Sequence, residues 1–171
     1  MVERTPSLAV RLRPATAEDG FLIRRWLKDP AVAACSGNRA SAEAEIALAR
    51  LSATALMRIV TWQARPIGYA QALEVGLRSG SQPLEIPAGS WDTQFWSVPS
   101  PTSVLAAIPA LLAAEVFATT LAVACCGLIS IRQETMVRAY EQAGFRWRRI
   151  WHDPLFGPAW LMLKERPQTG A

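Results

Sequence analysis

The chain is poor in the side chains that metal and disulfide chemistry require. One histidine, His152, and three cysteines, Cys35, Cys125 and Cys126, occur in 171 residues. There is no C-x-x-C and no spaced set of His and Cys, so no metal site is expected. An odd cysteine count with an adjacent pair is no disulfide framework, and reduced thiols in a cytoplasmic protein are the simplest expectation. The N-terminal M-V-E-R-T-P-S has no apolar core resembling a secretory signal. An unbroken membrane-spanning run is missing too. Pro101 to Ile131 comes nearest, but Pro109, Glu115 and Thr119-Thr120 interrupt it. Neither flank of Glu115 reaches the roughly 18 apolar residues of a span. A buried helix followed by a buried strand is expected instead.

Charged residues make up only 19% of the chain, whereas 51% are hydrophobic and seven are tryptophan. That balance excludes disorder and indicates one packed domain over residues 1–171, with a core from about 8 to 165. The tryptophans suit core packing or an apolar cleft. The net charge of +4 suits an anionic ligand. The apolar surplus allows a homodimer, although no residue pattern demands one.

Along the chain, L-A-V-R-L-R (8–13) alternates as a strand does, and Pro14 ends it. Thr16 and Asp19 have the spacing of a capping box ahead of a helix that presents Phe21, Leu22, Trp26 and Leu27 and stops at Asp29-Pro30. A second helix is expected from a Ser41 cap to Ala53, with Ile46, Leu48 and Leu51 as its apolar positions. Leu56–Gln63 and Pro66–Val75 form a hairpin around Ala64-Arg65. The polar loop 78–89 leads to a strand, Ser90–Val98. A long helix then runs to about Ala118, with Ser100 as cap and Pro101 at its first position. Leu121–Ile129 is a strand buried on both faces. A helix over Ile131–Ala143 ends at Gly144, and the strands Phe145–Trp151 and Ala159–Lys164 close the chain around H-D-P-L-F-G-P. The order is β-α-α-β-β-β-α-β-α-β-β, a single mixed α/β domain.

The run A-Y-E-Q-A-G-F-R (139–146) resembles the helix-to-strand corner of the GNAT superfamily of acyl-CoA-dependent N-acyltransferases. R-L-R-P-A-T-A-E-D is similar to that family's first strand and helix, and P-I-G-Y-A-Q to its central strand. The spacing most resembles the branch of aminoglycoside 6'-N-acetyltransferases and their siderophore-acylating relatives. The resemblance implies a mixed, mostly antiparallel sheet flanked by helices, acetyl-CoA as cofactor, and a small-molecule amine as acceptor. It implies neither a nucleic-acid nor a membrane partner.

Direct acyl transfer from a thioester to an amine needs a base for the ammonium and an acid for the departing thiolate. The resemblance puts Tyr140 at the sulfur as acid. The plainer reading of Tyr140 is a core tyrosine with a satisfied hydroxyl. Asp92, alone in the apolar strand S-W-D-T-Q-F-W, is the candidate base or amine anchor, because an unpaired carboxylate there is costly to bury. It also reads as a solvated strand-edge residue. Glu74 is a weaker candidate on the same side.

For the cofactor, the resemblance implies that the backbone of Phe95, Trp96, Ser97 and Val98 pairs with the pantetheine arm. Ser100, Thr102, Ser103 and Val104 would then lie at the diphosphate, under a helix N-terminus. Gln133 stands where the family carries asparagine. The stretch S-V-P-S-P-T-S-V-L-A (97–106) departs from the family: it has no glycine, no basic residue, and two prolines that each remove a donor. A second reading follows from that departure, in which a GNAT-like module has lost acetyl-CoA binding and binds another ligand or a protein partner. A peripheral membrane role for exposed tryptophans is a third. R-W-R-R-I-W-H (146–152) interleaves basic and aromatic residues as nucleic-acid binders do, but strand alternation favours a structural role. His152 and the Cys125-Cys126 pair are read as structural.

Overall fold

The computed structural model describes residues 9–36, 39–77, 85–153 and 157–168, without the side chains of residues 34–41 and of Leu77. The Ser41 hydroxyl, the Cys35 thiol, the loop 78–84 and residues 154–156 of the last turn therefore lie outside the described residues.

The strands are β1 (Val10–Pro14), β2 (Leu56–Trp62), β3 (Arg65–Glu74), β4 (Trp91–Ser97), β5 (Ala124–Ser130), β6 (Arg146–Asp153) and β7 (Gly157–Glu165). The helices are α1 (Gly20–Lys28), α2 (Pro30–Ser36), α3 (Arg39–Leu51), α4 (Thr102–Thr119) and α5 (Glu134–Gln142). The seven strands among the described residues form one sheet in the order β1-β2-β3-β4-β5-β7-β6. Every described neighbouring pair is antiparallel except β4 and β5.

The observed order contains the expected one with one addition, α2. Asp29-Pro30 ends α1 as expected, but it also starts α2: the Asp29 carboxylate accepts the Ala31 N–H at 2.8 Å. Pro30, which has no N–H to lose, opens a new helix. Ser41 falls inside α3 and is not its cap, because the helix starts at Arg39. The capping box at Thr16 is present, with the Thr16 N–H donating to Asp19 at 2.7 Å.

Three apolar residues expected in the core are outside it: Phe21 is 71% exposed, Leu51 86% and Leu121 96%. Ile23 and Ala49 take the inward positions on α1 and α3. Trp26, Leu27 and Ile46 are buried as expected, so the expected helix faces hold except at these single positions. The hairpin turn is likewise one residue earlier than expected. Gln63 and Ala64 form it, both at positive φ, 50° and 63°, as a two-residue loop of the I′ kind requires.

The long apolar run divides into α4 and β5. By length and composition alone α4 could cross a membrane, but its Val104, Leu105, Ile108, Leu112 and Val116 are buried against the sheet and α5. Each such side chain contributes about 1.5–3 kcal/mol of burial. Pro101 occupies the cap position, one residue later than Ser100, and its carbonyl accepts the Val104 N–H at 2.9 Å. At the end of α5, Gly144 (φ 89°) lets the chain turn left-handed, and the Phe145 N–H reaches back to the Tyr140 carbonyl at 3.0 Å.

Side-chain alternation sorts the core into layers. Trp91 and Phe95 of β4 and Cys125 of β5 face α4 and α5. Tyr69 and Trp96 face α1, α2 and α3. Cys126 and Leu161 pack on that second face beneath Val75 and Ile86.

Candidate active site

The two parallel strands meet only at Trp91↔Cys125 and Asp92↔Cys126. Beyond Asp92 they diverge, while β4 stays paired with β3 as far as Gly68↔Ser97. From Thr93 onward, β4 therefore has one edge without a strand beside it among the described residues. The Thr93 carbonyl points to that open side, and the Val98 N–H points the other way, to the Ile67 carbonyl at 2.9 Å. Alternation then directs the main-chain groups of Phe95 and Ser97 into the opening and those of Trp96 and Val98 toward β3. Of the four residues singled out in sequence, two present donors and acceptors to the opening. The Val98 N–H is already spent.

Tyr140 sits where the strands part. Its hydroxyl donates to the Thr93 carbonyl at 2.9 Å and lies 3.3 Å from Thr93 Oγ1, which donates to the Cys126 carbonyl at 2.9 Å. The ring lies between Phe95 (centroids 5.9 Å apart) and Phe145 (4.9 Å). Gly127 makes room for it, since a Cβ there would stand 2.8 Å from Tyr140 Cε1. Burial drives the phenol well above its ordinary value, and the Asp92 charge adds to the effect. Tyr140 thus keeps its proton at any working pH. It is a donor already committed to Thr93.

Asp92 is fully buried, so the solvated-edge reading is ruled out. Its side chain lies on the α1–α3 face. Oδ2 accepts Gln94 Nε2 at 2.7 Å, and the Cys126 thiol lies 3.9 Å from Oδ1. Asp92 and Tyr140 thus reach the point of divergence from opposite faces of the sheet. Glu74 does not join them: its pairing with Trp91 puts it on the other face, and it is exposed.

The start of α4 is sparsely equipped. The Ser97 and Ser100 hydroxyls both donate to the Val98 carbonyl, at 2.9 and 3.0 Å. Val104 is a core residue, its N–H bonded to Pro101. Thr102 and Ser103 are left, one half-buried and one exposed, in the first turn, where helical N–H groups have no intrahelical acceptor. Gln133 occupies the cap position of α5, half-buried.

Elsewhere, β6 is an edge strand whose arginines are partly engaged: Arg148 pairs with Glu165 at 3.2 Å, and Arg149 pairs with Glu85. Burial pushes the Cys125 thiol up to about 12, so it stays protonated and inert. Thr93, Gln94, Gln71 and Gly127 were not singled out in the sequence. The T-Q after W-D was the available signal, but its meaning depends on which residues face the divergence.

No family model and no curated protein matches the chain. Solved structures do. The aminoglycoside acetyltransferase AAC(6')-Ib, in complex with ribostamycin and coenzyme A, superposes with a TM-score of 0.75 at 23% identity, over 92% of this chain and 93% of that one. An aminoglycoside N(6')-acetyltransferase from Legionella pneumophila gives 0.71 at 14% identity, over 90% of each chain. Spermidine N-acetyltransferase from Vibrio cholerae, in complex with CoA and spermine, gives 0.67 at 12%, over 91% and 95%. All three are acetyltransferases by name, and the chain has their fold, that of the GNAT superfamily.

Proposed function

We propose that the chain is an acetyl-CoA-dependent N-acetyltransferase acting on a small-molecule amine. The observation that carries this is the parting of β4 and β5 after Asp92, with a buried carboxylate on one face of the gap and a protonated phenol on the other. The open main chain of Phe95 and Ser97 suits an extended, amide-bearing arm, which would add to β4 as a strand does. Thr102 and Ser103 would meet the diphosphate at the positive end of α4. The arm fits well; the diphosphate end fits more thinly, without a glycine or a cation.

Bound acetyl-CoA would supply an activated acyl group. Asp92 then holds the incoming ammonium and takes its proton, with Gln94 fixing the carboxylate. The Ser97 N–H orients the acyl oxygen. As the amine nitrogen bonds the acyl carbon and the carbon–sulfur bond breaks, Tyr140 would exchange its bond to the Thr93 carbonyl for one to the departing thiolate, as the acid that shares its proton with the sulfur. The structural neighbours crystallised with ribostamycin and with spermine support an amine as acceptor.

Acetylation of an amine panel that includes spermine and ribostamycin tests this. Asp92→Asn is expected to lower kcat/KM by about 10²–10⁴-fold with the fold retained. No transfer to any amine, or full activity in the variant, contradicts the proposal. The turn 98–101 favours a second reading, a module that no longer binds acetyl-CoA, because its hydroxyls are internally spent and two prolines remove donors. Under that reading, affinity appears only when glycine replaces Pro99 and Pro101.

A further inference from the structure

A row of buried polar side chains crosses β3 and β4 on the face that carries Asp92. Tyr69 and Gln71 come from β3, Asp92 and Gln94 from β4, and the register sets Gln71 directly opposite Gln94 with Asp92 opposite Leu73. Most of the row is satisfied from within. The Tyr69 hydroxyl donates to Gln71 Oε1 at 2.9 Å, and Gln94 Nε2 donates to Asp92 at 2.7 Å. Gln71 Nε2 is the exception: Gln71 is fully buried, and this amide nitrogen has no partner among the described residues. Reversing the amide would remove the acceptor from the Tyr69 proton, so the carbonyl belongs toward Tyr69 and the NH₂ is the unspent end. A buried donor left unpaired carries its desolvation cost without return. Leucine at this position would avoid that cost.

The geometry points to Gln71 as a specificity-determining residue that donates to an oxygen of the acceptor amine. The inference rests on the proposed function for the face from which the amine arrives. Gln71 and Asp92 are diagonal neighbours on one face of the sheet, roughly 7–8 Å apart at the backbone. One offers a carboxylate to an ammonium, and the other offers N–H groups to a neutral oxygen a few atoms away. The matching acceptor is an amine with a hydroxyl, ether or carbonyl oxygen separated from the nitrogen by two or three carbons. An alkylamine of the same shape leaves the Gln71 donor unpaired in the bound state as well. Sites built to bond a substrate oxygen discriminate strongly against analogues that lack it.

The test is calorimetric binding to the full chain without acetyl-CoA, using two matched pairs: ethanolamine against propylamine, and 2-amino-1-phenylethanol against phenethylamine. The wild type is expected to bind the oxygen-bearing member of each pair at least about tenfold more tightly. Gln71→Leu should reduce that ratio to near one. Tyr69→Phe/Gln71→Leu, which removes both buried polar partners, should do the same and keeps the test decisive if the single variant folds poorly. Equal affinities within each pair in the wild type, an undiminished preference in both variants, or no binding of any of the four amines would overturn the inference. A purely structural Gln71 would change the melting temperature of the variants and leave the preference intact. Acetyl-CoA titration is read separately, so failure here is distinct from failure of the acetyltransferase reading.

Discussion

Tyr140 and Gly127 act as one unit. The ring of Tyr140 occupies space that only a glycine leaves free, and its hydroxyl takes the carbonyl that a continuing β4–β5 ladder would have used. Tyr140→Phe is expected to cost about 1 kcal/mol of stability for the lost bond. If the hydroxyl also serves a thiolate, kcat falls by about 10²-fold or more, so a stable variant with unchanged kcat would assign Tyr140 to structure alone. Gly127→Ala should cost about 1–3 kcal/mol through overpacking against the Tyr140 ring, read by thermal melting. Tyr140 could be picked out of the sequence because A-Y-E-Q-A-G-F fixes its distance from the helix end. Asp92 was visible as a lone charge among apolar neighbours. Thr93, Gln71 and Gln94 were not visible: a strand's two faces are interchangeable until its neighbours fix the register.

At the scale of the element, signals with a local cause were legible and those set by packing were not. The capping box at Thr16 and the left-handed Gly144 are local chemistry, and both are present. Phe21 and Leu51 are apolar yet exposed, because burial depends on which part of a helix its neighbours cover, and no short window contains that. The β2–β3 turn combines both cases. Gln63 and Ala64 each adopt positive φ without being glycine or asparagine, which costs about 1–2 kcal/mol per residue for ordinary side chains. Gln63→Asn/Ala64→Gly should therefore stabilise the protein by about 1 kcal/mol, a rise of about 2–4 °C in Tm for a chain of this size. Amine acetylation should be unaffected, since the turn lies at the far end of β3 from Gln71 and Asp92.

For the whole molecule, the first strand is fastened to the helical layer by an ion pair that sets part of the acid response. Arg13 grips Asp19 with two bonds, at 2.9 and 2.8 Å. The Arg13 hydrogen bonds come first among the causes that hold the Asp19 carboxyl at about 2, with the Thr16 N–H assisting. A carboxylate with a lowered folded pKa stabilises fully above its unfolded value near 3.9. That contribution disappears as pH falls through about 2. Asp19→Asn should lower Tm by about 2–4 °C at pH 7, for about 1 kcal/mol of lost capping. It should also flatten the wild-type decline in Tm between pH 4 and pH 2; an unchanged acid profile would assign that response to other carboxylates. The fold itself was readable in the ordered elements, because helix and strand periods survive sequence divergence. The lack of glycine and charge in the 97–104 turn was readable too. What it does to binding depends on how much of the ligand the open edge of β4 holds. Calorimetric titration of the full chain with acetyl-CoA, beside S-acetylpantetheine lacking the nucleotide, measures that directly. The account predicts one site per chain, with the two ligands within about tenfold of each other because the strand edge dominates; no heat from either ligand at millimolar concentration would contradict it.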